Sequence, residues 1–184
     1  VAMAARFGDG GRFIDVAGHN ATGLRPFFAS SCQPARHNQG KHMYNGLYIT
    51  ATGPMTGKSA IALGAMQLLT RSMRKVAFFR PIINEPLWDD RDPDIHLMLE
   101  YFKLNMDYAD TFAYTQHEAR QIINQGSRNL LIENIIQKYK KLLETYDFVL
   151  CVGTDFLAKD PVFEFELNAE IAAELLRMSG LTVD

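Results

Sequence analysis

The stretch "LYITATGPMTGKSAIALGAM", residues 47–66, decides the fold. It passes from a short β-branched and aromatic run through Gly53, Gly57, Lys58 and Ser59 into an alanine-rich helix former. Three readings compete: a working phosphate cradle, the remains of one, or an ordinary strand–turn–helix. A phosphate loop functions because glycines at a strand-to-helix turn free backbone N–H groups to point at phosphate oxygens. The helix that follows adds its positive N-terminal end. Lysine then reaches the outer phosphates, and a Ser or Thr hydroxyl ligates Mg²⁺. Gly57-Lys58-Ser59 falls where this mechanism needs it. The first glycine of G-x-x-x-x-G-K-[ST] is replaced by Thr52, with Gly53 one residue later to supply the tight turn. In a plain turn, Gly57 is a helix entry, Ser59 an N-cap and Lys58 a solvated charge. Lys58 discriminates, because a plain turn has no use for it.

Strands and helices alternate around this loop. Residues 46–52 read as a strand, 59–73 as a helix, and 75–80 as a second strand stopped by Pro81. "PIINEPLWDDRDPD" (81–94) reads as a loop, and 94–104 repeats Ile95, Met98, Leu99 and Phe102 at helical spacing. A polar stretch follows, then a short helix over 115–125 ended by Gly126. Residues 129–146 carry a broad apolar stripe made of Leu131, Ile132, Ile135, Ile136, Tyr139, Leu142 and Leu143. "FVLCV" (148–152) is apolar throughout, as parallel strands covered on both faces tend to be. A last helix spans 167–180, and "LTVD" opens a fourth strand. The alternation predicts an α/β, three-layer P-loop-type domain with a mostly parallel sheet, incomplete at its C-terminal end.

Composition narrows the function. With 184 residues, 47% of them hydrophobic, the chain can bury the core of one domain. A net charge of −2 offers no polycationic surface for nucleic acid. No apolar run reaches the roughly 20 residues that cross a bilayer, and the N-terminal stretch lacks the apolar core of a secretion signal. Cys32 and Cys151 lie far apart and read as reduced thiols of a cytoplasmic protein. Residues 1–42 are rich in Gly, Arg, Ser and His and carry two acids, Asp9 and Asp15. They read as an upstream translated stretch, a disordered arm or a transit peptide, and are set apart from a domain over 43–184. His19, His37 and His42 are irregularly spaced, and His96 and His117 have no partner at ligand spacing, so none reads as a metal ligand.

The ordered set "ATGPMTGKSAIALG" (51–64), "VAFFRPI" (76–82), "DFVLCVGTDF" (147–156) and "ELNAEIAAEL" (166–175) resembles the N-terminal domain of long-form phosphate acetyltransferases. That domain is similar to dethiobiotin synthetase, and its phosphate loop lacks the early glycine in the same way. The resemblance covers roughly residues 46–184. In that family the full-length enzyme converts acetyl-CoA and phosphate to acetyl phosphate and CoA in a separate C-terminal domain. The resemblance therefore implies a regulatory, nucleotide- or phosphate-sensing module rather than a catalyst. Its partners would be a nucleotide or small anionic metabolite, the acetyltransferase domain, and further copies of itself.

Carried over by position, Thr56, Gly57, Lys58 and Ser59 match the phosphate loop of dethiobiotin synthetase; with Gly53 at the tight turn and Arg80 keeping a positive charge, these six are assigned to nucleotide or phosphate binding. The resemblance gives Ser59 and Asp94 to Mg²⁺, with ATP or ADP as the ligand. Of the acids in "WDDRDPD" (88–94), Asp94 alone is assigned a role; the others read as a solvated turn. Two departures stand out. Arg80-Pro81 occupies the place of a common Lys-Pro, and an arginine does not mimic a compact ammonium. Val152 stands where relatives have an acid before "GTDF", so one carboxylate oxygen source for the metal is missing. Asp155 is a possible substitute, though a capping or turn role suits it better. Two other readings stay open: a stand-alone ATP-dependent ligase resembling dethiobiotin synthetase, and a structural oligomerisation module with a vestigial loop.

Overall fold

The computed structural model describes residues 2–7, 13–15, 46–51, 56–84, 91–154 and 161–178. Four strands run parallel: β3 (Gly46–Ala51), β4 (Val76–Ile83), β5 (Phe112–Thr115) and β6 (Phe148–Val152). Within residues 1–42, two strands are described, β1 (Ala2–Phe7) and β2 (Phe13–Asp15). β1 pairs antiparallel with β3, and β2 with β1, giving the order β2-β1-β3-β6-β4-β5. Among the described residues, five α-helices cover the sheet: α1 (Lys58–Ser72), α2 (Pro93–Phe102), α3 (Gln116–Asn124), α4 (Arg128–Thr145) and α5 (Pro161–Met178). This is the α/β, parallel-sheet architecture that the alternating pattern predicts.

Strand alternation divides the core into two layers. Ile49, Val76, Phe78, Phe148, Leu150 and Val152 face α1 and α2, where they meet Ala62, Met66, Leu69, Ile95 and Met98. Tyr48, Ala77, Phe79, Val149 and Cys151 face the other way, onto Leu131, Ile135 and Tyr139 of α4 and Ile171 and Leu175 of α5. Burying each large aliphatic or aromatic side chain contributes about 1.5–3 kcal/mol, and this gain drives both helix layers onto the sheet. The predicted stripe of α4 is buried as expected, with Leu143 half-buried at its margin.

Three boundaries differ from the sequence reading. β4 does not stop at Pro81 but runs on to Ile83. Its register with β6 ends at Phe79, and Arg80 turns its N–H to the Thr111 carbonyl at 2.7 Å on the β5 side. The missing N–H of Pro81 thus falls where no β6 pairing is described, which a sheet tolerates. β5 lies inside the stretch read as merely polar; it is a four-residue edge strand, half-buried throughout, with too few residues for a clear period. α5 starts at Pro161 rather than 167, in keeping with proline's preference for the first helical turn. The expected fourth strand, "LTVD", lies outside the described residues.

Candidate functional site

The connections from β3 and β6 diverge. β3 leads through α1 to β4 on one face, while β6 leads to α5, which lies against α4 and β3 on the other. Ligands of open α/β sheets bind outside the carboxyl ends of strands at such a point. The 47–66 stretch opens here. Gly57 is the N-cap of α1 with φ +77°, a left-handed conformation that side chains rarely adopt. No side chain caps α1 and no acid stands in its first turn, so the positive helix end is uncompensated from within. Thr56 is half-buried and Gly57 and Ser59 are exposed, whereas Lys58 is only 5% exposed. Gly53 and Asp155 lie outside the described residues.

Lys58 is drawn inward over the end of β6. Its ammonium donates to the Gly153 carbonyl at 2.5 Å and to the Thr154 carbonyl at 2.8 Å. Burial raises the Cys151 thiol well above its ordinary range, and the nearby Lys58 charge opposes that rise. An ammonium out of water needs such partners, since an uncompensated buried charge is costly.

Behind Lys58, the end of β6 is fixed by α5. Asn168 Oδ1 accepts from the Tyr48 hydroxyl at 2.9 Å and from the Thr154 N–H at 3.0 Å. Gly153 donates its N–H to the Ile49 carbonyl at 2.8 Å, continuing the β3–β6 pairing. A Cβ there would stand 2.6 Å from Asn168 Oδ1 and 2.8 Å from the Tyr48 hydroxyl, so any side chain would force those groups to shift. Tyr48, Gly153, Thr154 and Asn168 were not apparent as site residues in the sequence. Asn168 lies within the quoted stretch 166–175, but its role comes from a contact 120 residues away and shows in no spacing.

The third component is ionic. Arg80 is 1% exposed, and its Nη1 donates to both carboxylate oxygens of Asp92, at 2.7 and 2.8 Å. The same nitrogen reaches Asp94 Oδ2 at 3.2 Å, and the Ser59 hydroxyl donates to that oxygen at 3.0 Å. Ser59, Asp94 and Arg80 therefore meet at one oxygen atom. Asp92, read from the sequence as part of a solvated turn, is 1% exposed and is the N-cap of α2. It accepts from the N–H groups of Asp94 (3.0 Å) and Ile95 (3.1 Å), while Pro93 occupies the first helical position. The Asp92 N–H donates to the Tyr108 hydroxyl at 2.6 Å, and burial chiefly raises that phenol's pKa. Asp-Pro at a helix start was the available signal for Asp92.

These residues do not fit a magnesium ion. Asp94 Oδ2 already accepts from the Arg80 guanidinium and the Ser59 hydroxyl, both Asp92 oxygens are taken, and Val152 is a buried isopropyl group 1% exposed. Among the described residues, no group of three or more His, Cys, Asp or Glu side chains could hold a metal. His96 and His117 are exposed, and His117 bonds Gln121 at 2.9 Å. A cavity of about 320 Å³ opens at the other end of the sheet, among Thr70, Arg74, Lys75, Phe102, Leu104 and Tyr146, and contains no phosphate-loop residue. Among the described residues, no helix is long and apolar enough to cross a membrane.

A phosphate acetyltransferase of Nitratidesulfovibrio vulgaris is 61% identical over 133 residues, which are 72% of this chain and 19% of that protein. A phosphate acetyltransferase of Synechocystis is 38% identical over the same shares. An ATP-dependent dethiobiotin synthetase BioD of Sulfurovum is 31% identical over 116 residues, 59% of this chain and 54% of that enzyme. The chain thus spans about a fifth of the length of its phosphate acetyltransferase relatives, and its similarity is to their N-terminal region. The strand, glycine turn, buried lysine and helix all lie within residues 45–177, which match the description of the AAA domain, and the chain belongs to that family of P-loop domains.

Proposed function

We propose that this chain is the regulatory N-terminal domain of a cytoplasmic phosphate acetyltransferase, sensing a nucleotide or phosphate without turning it over. The parent reaction, acetyl-CoA and phosphate to acetyl phosphate and CoA, then belongs to the rest of the polypeptide. Gly53, Thr56, Gly57, Lys58 and Ser59 hold the anion through backbone N–H groups, the helix end and one ammonium. Arg80 adds a second positive charge beside Ser59. One observation carries the reading: a P-loop lysine buried at the β3–β6 junction, beside a site whose two carboxylates are already bonded to one arginine. The first feature suits anion binding; the second disfavours the phosphoryl chemistry of a ligase. Self-association and contact with the acetyltransferase domain are the outputs through which binding would be felt.

Isothermal titration with ATP, ADP and inorganic phosphate, paired with a phosphate-release assay, tests this. Saturable binding with no release supports a sensor. Release stimulated by a diamino acid substrate would favour the ligase reading, to which the 31% identity with a dethiobiotin synthetase lends weight. No binding, with self-association indifferent to nucleotide, would leave only a scaffold.

A further inference from the structure

We infer that the site takes its anion free of any divalent cation, with the Arg80 guanidinium standing in for the metal. This rests on the anion-binding reading and names the form of the ligand: an uncomplexed nucleoside di- or triphosphate, or inorganic phosphate. Ser59 and Asp94 are the two positions where a metal was expected, and their hydroxyl and carboxylate are bonded to each other at 3.0 Å. The cation beside them is Arg80, 3.2 Å from the shared oxygen. It is not a surface side chain that can swing aside. At 1% exposure, it is fixed from behind by Asp92, which is equally buried and is itself locked by two N–H groups of α2.

A metal ion entering at Asp94 Oδ2 must share that oxygen with the guanidinium or expel it, and the backing by Asp92 resists expulsion. Val152 offers the ion no oxygen on the other side. Metal-free polyphosphate, by contrast, asks for no further oxygen ligands: the positive charge beside it comes from Lys58 and Arg80, with Asp92 and Asp94 balancing them. An arginine also presents a planar fork of donors suited to phosphate oxygens. The geometry therefore favours the free anion over its magnesium complex.

Titration calorimetry of the whole chain with ADP and ATP, once with EDTA and once with excess magnesium, reads this directly. Binding in EDTA at least as tight as in magnesium is expected, with the metal weakening it by competing for the phosphates. Binding that appears only with magnesium, or is about tenfold tighter with it, overturns the inference while leaving the anion site intact. Absence of binding in both buffers overturns the anion site as well. Asp94→Asn gives a second reading, since it removes the negative charge nearest the ligand but leaves Arg80 held by Asp92. It should tighten binding in EDTA several-fold and in magnesium alike, whereas binding left unchanged in EDTA but lost in magnesium would mean that Asp94 serves a metal and overturn the inference.

Discussion

Replacing Asp92 with alanine should be among the costliest single changes in the chain, although Asp92 lies outside every motif. Its carboxylate does two jobs: it holds Arg80 through both oxygens, and it caps α2 through two N–H groups. Losing an N-cap costs about 1 kcal/mol. Breaking a buried ion pair costs roughly 3–5 kcal/mol, because the surviving charge stays out of water. The two terms share one side chain and do not simply add, so about 4 kcal/mol is expected. Set against a total stability of about 5–15 kcal/mol, that is a large fraction, and in a chain of this size it lowers Tm by roughly 8–16 °C. Asp94→Ala is the control. It touches the same Arg80 nitrogen but is 25% exposed, and should cost less than about 1 kcal/mol. Urea unfolding followed by circular dichroism, with calorimetric Tm, measures both. An Asp92→Ala protein within about 0.5 kcal/mol of wild type, well inside the ordinary scatter of surface changes, would refute the assignment of a guanidinium buried against Asp92.

Gly153→Ala should destabilise by about 1–3 kcal/mol through overpacking. The new methyl must push apart the Tyr48–Asn168 hydrogen bond, and a wild-type unfolding midpoint would show that the strand end is looser than described. Stability should also fall in alkali. Burial raises the Tyr48 and Tyr139 phenols and the Cys151 thiol well above their ordinary values, so the folded chain holds these groups neutral. That contribution is complete below the unfolded values, about 8.5 for the thiol and 10 for the phenols, and is lost as pH climbs beyond them. Urea midpoints measured from neutral pH to about 11 should decline in that range, less steeply in Tyr48→Phe; a flat or rising profile would contradict the burial of these groups.

Much of the architecture was legible because periodicity was strong. β3, α1 and β6 lie where alternating or continuous apolar runs placed them, within one or two residues. Thr115 and Glu118, which bracket the start of α3, form a capping box of recognisable spacing. Legibility failed where a local rule met tertiary context. Proline was read as a strand stop, yet Pro81 sits where β4 exchanges one neighbour for another. β5 is too short to show a period and takes its place from pairing with β4.

The site followed the same division. Gly57, Lys58 and Ser59 announce themselves by spacing, and the Arg80 substitution was visible as a departure. Its consequence was not. A guanidinium bridging Asp92 and Asp94 depends on β4 and the start of α2 meeting across a loop, which no one-dimensional pattern records. Asp92 illustrates the general difficulty: four aspartates in seven residues look like a solvated turn, and burial alone distinguishes the one that is not.

The central claim is that backbone amides at the mouth of α1, with Lys58, receive an anion. Amide chemical shifts of the isotopically labelled chain during ADP titration address it residue by residue. The account predicts the largest shifts at Gly57, Lys58 and Ser59, and their disappearance in Lys58→Ala. Shifts centred instead on Thr70, Arg74 and Phe102, or unchanged by removal of Lys58, would contradict it.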